Sequence, residues 1–490
     1  MQKKTSLLTL LIITPLVIGA LSSCDLFGQT KLKPIGNIQQ KDGYYTTDEF
    51  SLNYVDVADS NFIYPLKATG TSKILVVPVQ FADGPVWTSG MISNIRNAFF
   101  GTSIDTGWES VASYYSKSSY GSLNITGEVD VPFKITTHTV ETAAKWGDEI
   151  DNEVCARYVA EKRKNDPGLL SSYDTDKNGI VDAVCFIYSN PQSTHEAYWA
   201  WVNWTGQIKP AKGQTNINMH MWASYNFIFP SVPQSSIDID TNVFIHETGH
   251  LLGLDDYYPY SGNYRAAGGL EMMDHNIMDH SSYSKLLLGW TKPYVVDGTK
   301  ETTTISIRPF ESSGDVIMVR NNWNGSALDE YLLIEYYTPT GLNEKDVKTP
   351  TTNTTGFTIP GIKIYHVDSR VARLYLHEDK TFSFDGFIST YPELSRYYYS
   401  IAAANSDAWS YLPFGSKAKL LHLMEATGTN SFKDGAIAND ATLFQAGQTF
   451  IPSSTFFQYG TNFNDGTPIG YKINIESLDD QQAKINIIKV

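Results

Sequence analysis

Cysteine is nearly absent, with three in 490 residues, one of them at position 24. At most one disulfide, Cys155 to Cys185, is open to the rest of the chain. A disulfide scaffold is therefore excluded and the fold must rest on a core. Both cysteines stand in apolar local sequence, where buried free thiols are as natural as a bridge. Positive charge is also short: 37 Lys and Arg against 52 Asp and Glu leave a formal net charge of −15. Such a surface repels nucleic acid, which is not expected as a partner. Only one long apolar run exists, Leu7 to Leu21, and its fifteen residues fall short of the roughly 20 that a membrane-spanning helix needs. No internal repeat and no long low-complexity tract is present.

What that run does have is an address. Lys3 and Lys4 precede it and Leu21-Ser22-Ser23-Cys24 follows it, the layout of a bacterial lipoprotein signal. Cleavage after residue 23 with a lipid on the Cys24 thiol is expected, which would tether the protein to a membrane surface outside the cytoplasm. The loss of the two lysines makes the mature chain two charges more negative. Residues 24–65 are polar and without period, and read as a tether or short pro-segment. With 42% hydrophobic and 13% aromatic residues, the remainder can bury a large core and is long enough for two or three domains.

The most informative stretch is Phe244-Ile245-His246-Glu247-Thr248-Gly249-His250-Leu251-Leu252-Gly253-Leu254-Asp255-Asp256. On a helix His246 and His250 lie roughly 40° apart, while Phe244, Ile245, Leu251 and Leu252 take the other side. One face suits a core and the other a metal. Two imidazoles at i and i+4 can share one Zn²⁺, with Glu247 placed to handle a water beside it. Gly253 allows a sharp turn that brings Asp256 back as third ligand, Asp255 pointing elsewhere. Glu271 is the alternative third ligand, at a separation another class of zinc peptidases uses, although Gly253 would then have no role.

Upstream, Ile74 to Phe81 is a continuous apolar run, as in a buried strand. Helices are expected over 91–100, 109–118 and 142–164, and strands over 122–135 and 183–188. Alternating strands and helices indicate an α/β layer structure for residues 66–300. Within it, Asp174, Asp176, Asn178, Ile180 (through its carbonyl) and Asp182 stand at positions 1, 3, 5, 7 and 9 of an EF-hand-like calcium loop with Gly179 at 6, although Cys185 replaces the closing glutamate at 12. An Asx-rich turn without metal fits the same residues. The aromatic stretch 199–229, with Trp201, Trp204, Trp222, Tyr225 and Phe227, is mostly core material but can include a sheet edge able to pair with an extended peptide. Met272 and Met273 follow a glycine-led turn and suit either a soft floor under a metal or plain core. From about Glu301 helical periodicity ends and short strands are expected, near 303–309, 316–320, 331–337, 362–367, 397–402, 420–426, 471–475 and 483–490, as in a β-sandwich over 301–490.

The zinc stretch, the Gly268-Gly269-Leu270-Glu271-Met272-Met273-Asp274 turn and the Ser284-Lys285-Leu286-Leu287-Leu288-Gly289-Trp290 segment resemble immune inhibitor A-type metallopeptidases, secreted bacterial zinc endopeptidases of the metzincin-like group. Looser counterparts run from about Lys73 to the C-terminus. The resemblance implies a metzincin-like α/β catalytic domain followed by a β-sandwich-like domain, zinc on His246, His250 and Asp256, Glu247 as catalytic residue, and Met273 as the Met-turn residue, with Met272 or Met278 as alternatives. It implies polypeptide substrates, and the lipid anchor, a departure from the free secretion of that family, would confine cleavage to proteins near the cell surface. A tyrosine such as Tyr257, Tyr258 or Tyr283 could stabilise an oxyanion. The expectation from a different class is an inactive surface lipoprotein that binds proteins or glycans through its β-rich half.

Overall fold

The computed structural model describes residue 40 and residues 64–205, 213–232, 238–260, 262–296, 298–379, 381–388, 398–401 and 419–490. The expected signal, Cys24 and nearly all of the expected tether lie outside them. The described residues from 64 onward belong to one compact unit of mixed α/β content. Its first six strands are β1 (Gly70–Phe81), β2 (Leu123–Val129), β3 (Phe133–Ile135), β4 (Ala183–Tyr188), β5 (Trp201–Trp204) and β6 (Met219–Ser224). They form one sheet in the order β2-β1-β4-β6-β5, with β3 also on β1. All pairings are parallel except β5 with β6, so β5 is an antiparallel edge.

The apolar run in β1 is explained by burial on both faces. Ile74 and Val76 face one core together with Ala183, Cys185 and Ile187 of β4, while Leu75, Val77, Val79 and Phe81 face a second core together with Val184, Phe186 and Tyr188. Pro78 cannot donate to a ladder, and it falls where β2 pairing stops at Val76 and β3 pairing has not begun at Val79. Helix Ile150–Asn165 covers the second face with Val154, Cys155 and Tyr158. Cys155 and Cys185 are both free, and they belong to cores on opposite sides of the sheet. The helix expected over 142–164 is broken into Val140–Ala144, a 3₁₀ turn at Gly147–Glu149 and Ile150–Asn165.

The second half adds β7 (Tyr294–Val295), β8 (Thr302–Ile307), β9 (Val316–Val319), β10 (Glu330–Tyr337), β11 (Gly361–Asp368), β12 (Val371–Leu376), β13 (Phe382–Ile388), β14 (Tyr398–Ile401), β15 (Leu421–Leu423), β16 (Thr449–Phe450), β17 (Tyr471–Leu478) and β18 (Ala483–Lys489). They make a five-stranded sheet β15-β11-β10-β9-β7, a four-stranded sheet β16-β17-β18-β8 and a three-stranded sheet β13-β12-β14. This half is not wholly β, since Phe310–Ser313 and Glu344–Lys348 are helical.

Alternation along β10 shows how the layers join. Leu332, Ile334 and Tyr336 pack with Ile473, Ile485 and Ile487 of the four-stranded sheet. Tyr331, Leu333 and Tyr337 instead enter the same core as the helix Asn242–Leu251 and β1. One core therefore runs across the expected division at residue 300, while a second lies wholly among residues from Tyr294 onward.

Candidate metal centre

Helix Asn242–Leu251 is buried along its whole length, apart from a half-buried Val243. Phe244, Ile245 and Leu251 supply its apolar face, and Tyr115 Oη donates to the Ile245 carbonyl at 2.7 Å. The helix ends as a Schellman turn: the amide of Gly253 donates to His250 O at 2.8 Å and that of Leu254 to Gly249 O at 3.0 Å. Gly253 has φ 91°, which favours glycine because a Cβ would collide with the local backbone. The turn reverses the chain and carries Asp256 back over the helix.

His246 Nε2, His250 Nε2 and Asp256 Oδ1 then converge. Each nitrogen is 3.1 Å from the carboxylate oxygen and 3.1 Å from the other nitrogen. Each Nδ1 is 2.8–2.9 Å from a main-chain carbonyl, His246 from that of Met272 and His250 from that of Leu254. A carbonyl only accepts, so both Nδ1 atoms carry hydrogen and both Nε2 atoms face the gap. Asp256 Oδ1 is buried, and the two imidazole nitrogens are its neighbours at 3.1 Å. Donor atoms this close need positive charge among them, carried by imidazole protons in the metal-free chain and by a cation when one is bound. A tetrahedron with 2.0–2.1 Å zinc–nitrogen arms has edges of about 3.3 Å, close to these separations. Among the described residues no other set of three His, Cys, Asp or Glu side chains converges in this way.

The charges agree with that reading. Burial opposes charge on the imidazoles, but Asp256 outweighs it and holds both above their ordinary range, His250 at about 10. Asp256 is itself held well below the carboxylate range by the two imidazoles, against the effect of its burial. Glu247 is buried beside them with Oε2 unpartnered. Burial raises its pKa and the two histidines pull the other way. Tyr260 Oη donates to Asp256 Oδ2 at 2.6 Å, and the Tyr258 ring stacks over His246 at 6.4 Å and 24°.

Glu271 is not part of this group. It accepts from the amides of Met273 and Ser281 and from Ser284 Oγ, and so caps the one-turn helix Met272–His275. That cap holds the Met272 carbonyl against His246 and places Met273 under the metal helix, where a Cβ on Gly249 would overlap the Met273 sulfur. Met278 lies instead against Gly356. Asp255 is half-buried and is not among the converging side chains. Tyr257 is committed to Ser284 Oγ at 2.8 Å, and neither it nor Tyr283 lines the cavity, whereas Tyr258 does.

The cavity of about 850 Å³ opens on Glu247 and all three ligands. Edge strand β5 forms one wall, with Trp199, Trp204 and Phe227. Asp434 and Gly435, from the β-rich half, form part of another. Sequence reasoning missed Tyr260, Arg265 and this last contribution. A tyrosine four residues beyond Asp256 was the one available signal for Tyr260.

The expected calcium loop is folded on its own side chains. Asp174 Oδ2 accepts from the Gly179 amide at 3.0 Å, Asp176 from the Asn178 amide at 3.0 Å, and Asn178 Oδ1 from the Ile180 amide at 2.7 Å. Asp182 turns to Thr175 and to the Lys73 amide. Asp174 Oδ1 is buried and unpartnered. Comparison with models of known protein families and with the sequences of characterised proteins finds no match.

Proposed function

We propose that the protein is a zinc-dependent metalloendopeptidase. The observation that carries this reading is the convergence of His246 Nε2, His250 Nε2 and Asp256 Oδ1 beside the buried carboxylate of Glu247. His246, His250 and Asp256 would hold the ion. A zinc ion in such a site supplies Lewis acidity toward a scissile carbonyl and a water. Glu247 is the base: its unpartnered Oε2 takes the proton from the attacking water and later returns it to the leaving amine. Burial, which disfavours its charged form, makes it a stronger base than a solvated glutamate. Met273, below the helix at Gly249, serves as the Met-turn residue of a metzincin-like fold.

Substrates are extended polypeptides lying in the cavity along edge strand β5. By the motif at residues 1–24, the site of action is a membrane surface outside the cytoplasm. Calcium on the 174–182 loop would be structural, and a calcium-dependent rise in Tm tests it. Zinc content and cleavage of a denatured protein, compared between wild type, Glu247→Gln and chelator-treated chain, test the main reading. About one zinc per chain, with cleavage lost in both treatments, is expected. Zinc bound without any cleavage by wild type would overturn it.

A further inference from the structure

Arg265 is the only lysine or arginine among the residues that line the cavity. The other ionisable groups there apart from the two ligand histidines, the tyrosines and His275 are acids: Glu247, Asp256, Asp274 and Asp434. An arginine in such company would be expected to pair with one of them, yet among the described residues none lies within ion-pair distance of Arg265. Asp274 is buried and committed, accepting from the Gly269 amide at 2.8 Å and from His275 Nδ1 at 2.9 Å. Asp434 is exposed on the cavity wall.

What Arg265 does touch is His275, through Nη1 at 2.8 Å from Nε2. The chain of bonds fixes the tautomer: His275 gives its Nδ1 hydrogen to Asp274, so its Nε2 accepts from the guanidinium. The backbone is held as well, since the Arg265 amide donates to Phe432 O at 3.0 Å and its carbonyl accepts from Gly268 at 2.9 Å. One edge of the guanidinium is thus oriented by a neutral partner. Its remaining N–H groups make no hydrogen bond to the described protein. A planar, oriented and half-buried guanidinium with no counterion among the described residues is a receptor for a carboxylate.

We infer that Arg265 forms a carboxylate-binding subsite, selecting polypeptides that place an acidic side chain or a free C-terminus in this part of the cavity. The inference rests on the peptidase reading only for the statement that the ligand is a substrate. Elsewhere the acidic lining repels a carboxylate, so the preference is confined to one position along the peptide.

The test uses the zinc-loaded full chain carrying Glu247→Gln, so that peptides bind without turnover. Two probes separate the sources of carboxylate. One is a C-amidated peptide with a single Glu moved through each position of a Gln-containing scaffold, and the other is the all-Gln scaffold with a free C-terminus. At one position, or for the free terminus, affinity about tenfold or more above the neutral amidated scaffold is expected. Adding Arg265→Gln should reduce that ratio to near one, and Arg265→Lys should recover part of it. No difference between charged and neutral peptides overturns the inference, whether or not they bind. So does a preference that survives Arg265→Gln. Selective binding with no cleavage by the Glu247 protein would instead defeat the peptidase reading and leave the subsite standing.

Discussion

Met273 lies against Gly249, directly between the two histidines in sequence: a Cβ at Gly249 would overlap its sulfur and sit 3.1 Å from its methyl carbon. Gly249→Ala should push Met273 and the metal helix apart, costing about 1–3 kcal/mol of stability and weakening zinc binding. Denaturant melts and zinc titration of the variant check this; an unchanged midpoint would mean that the contact relaxes freely.

Glu247→Gln should retain zinc and lower turnover by about 10²–10⁴-fold, the range general base catalysis supplies. Metal analysis beside a peptide-cleavage assay decides. Wild-type activity in the zinc-loaded variant would remove Glu247 from its role.

Zinc affinity should fall as pH falls. Without metal, His250 is held at about 10 by Asp256 against the effect of its burial, so at neutral pH zinc must displace its proton. Affinity should therefore drop by at least about tenfold per pH unit below neutrality. Calorimetry in two buffers of different ionisation enthalpy should also detect released protons, and a flat profile between pH 6 and 8 would contradict the ligand assignment.

Tyr260→Phe removes the donor to Asp256 Oδ2 at 2.6 Å. Loss of such a partner costs about 10–100-fold in metal affinity. Because Tyr260 is 64% exposed, the lower end is expected, in a zinc competition titration with a chromophoric chelator.

His422 pairs across the strands with His366 and is fully buried. Burial, then the neighbouring His366, lowers its pKa from 6.5 to about 3. The unfolded chain binds this proton first, so stability is whole above pH 6.5 and is lost as pH falls toward 3, by about 2 kcal/mol at pH 5. His422→Phe should reduce the difference between denaturant midpoints at pH 7 and pH 5, and an equal difference in both proteins would refute it.

The cluster of His246, His250 and Asp256 was legible because its information is local. Helical spacing joined His246 to His250, and the positive φ of Gly253 brought Asp256 back. Strand β4 was legible because burial on both faces leaves an unbroken apolar run, and β1, β10 and β11 because their runs are broken at few positions, such as Gln80, Glu335, Lys363 and His366. Strands β12 and β13 interleave charged and small residues with apolar ones and were missed. Strand β5 was read only as part of an aromatic region, because Trp201 to Trp204 alternates no differently from core. Arg265 gave no signal, since what fixes it is a hydrogen bond to Phe432, 167 residues further on. The two cysteines could not be sorted from sequence, which does not say that they would face opposite sides of one sheet.

The sheet β15-β11-β10-β9-β7 has no solvent side: one face is shared with the metal helix and the other with the terminal strands. A fragment ending near residue 300 would strip the core that the helix Asn242–Leu251 shares of Tyr331, Leu333 and Tyr365 and remove Asp434 from the cavity wall. The motif is therefore not a transplantable cassette. Nicking within 420–490 should therefore loosen the cavity wall at a distance from the cluster of His246, His250 and Asp256.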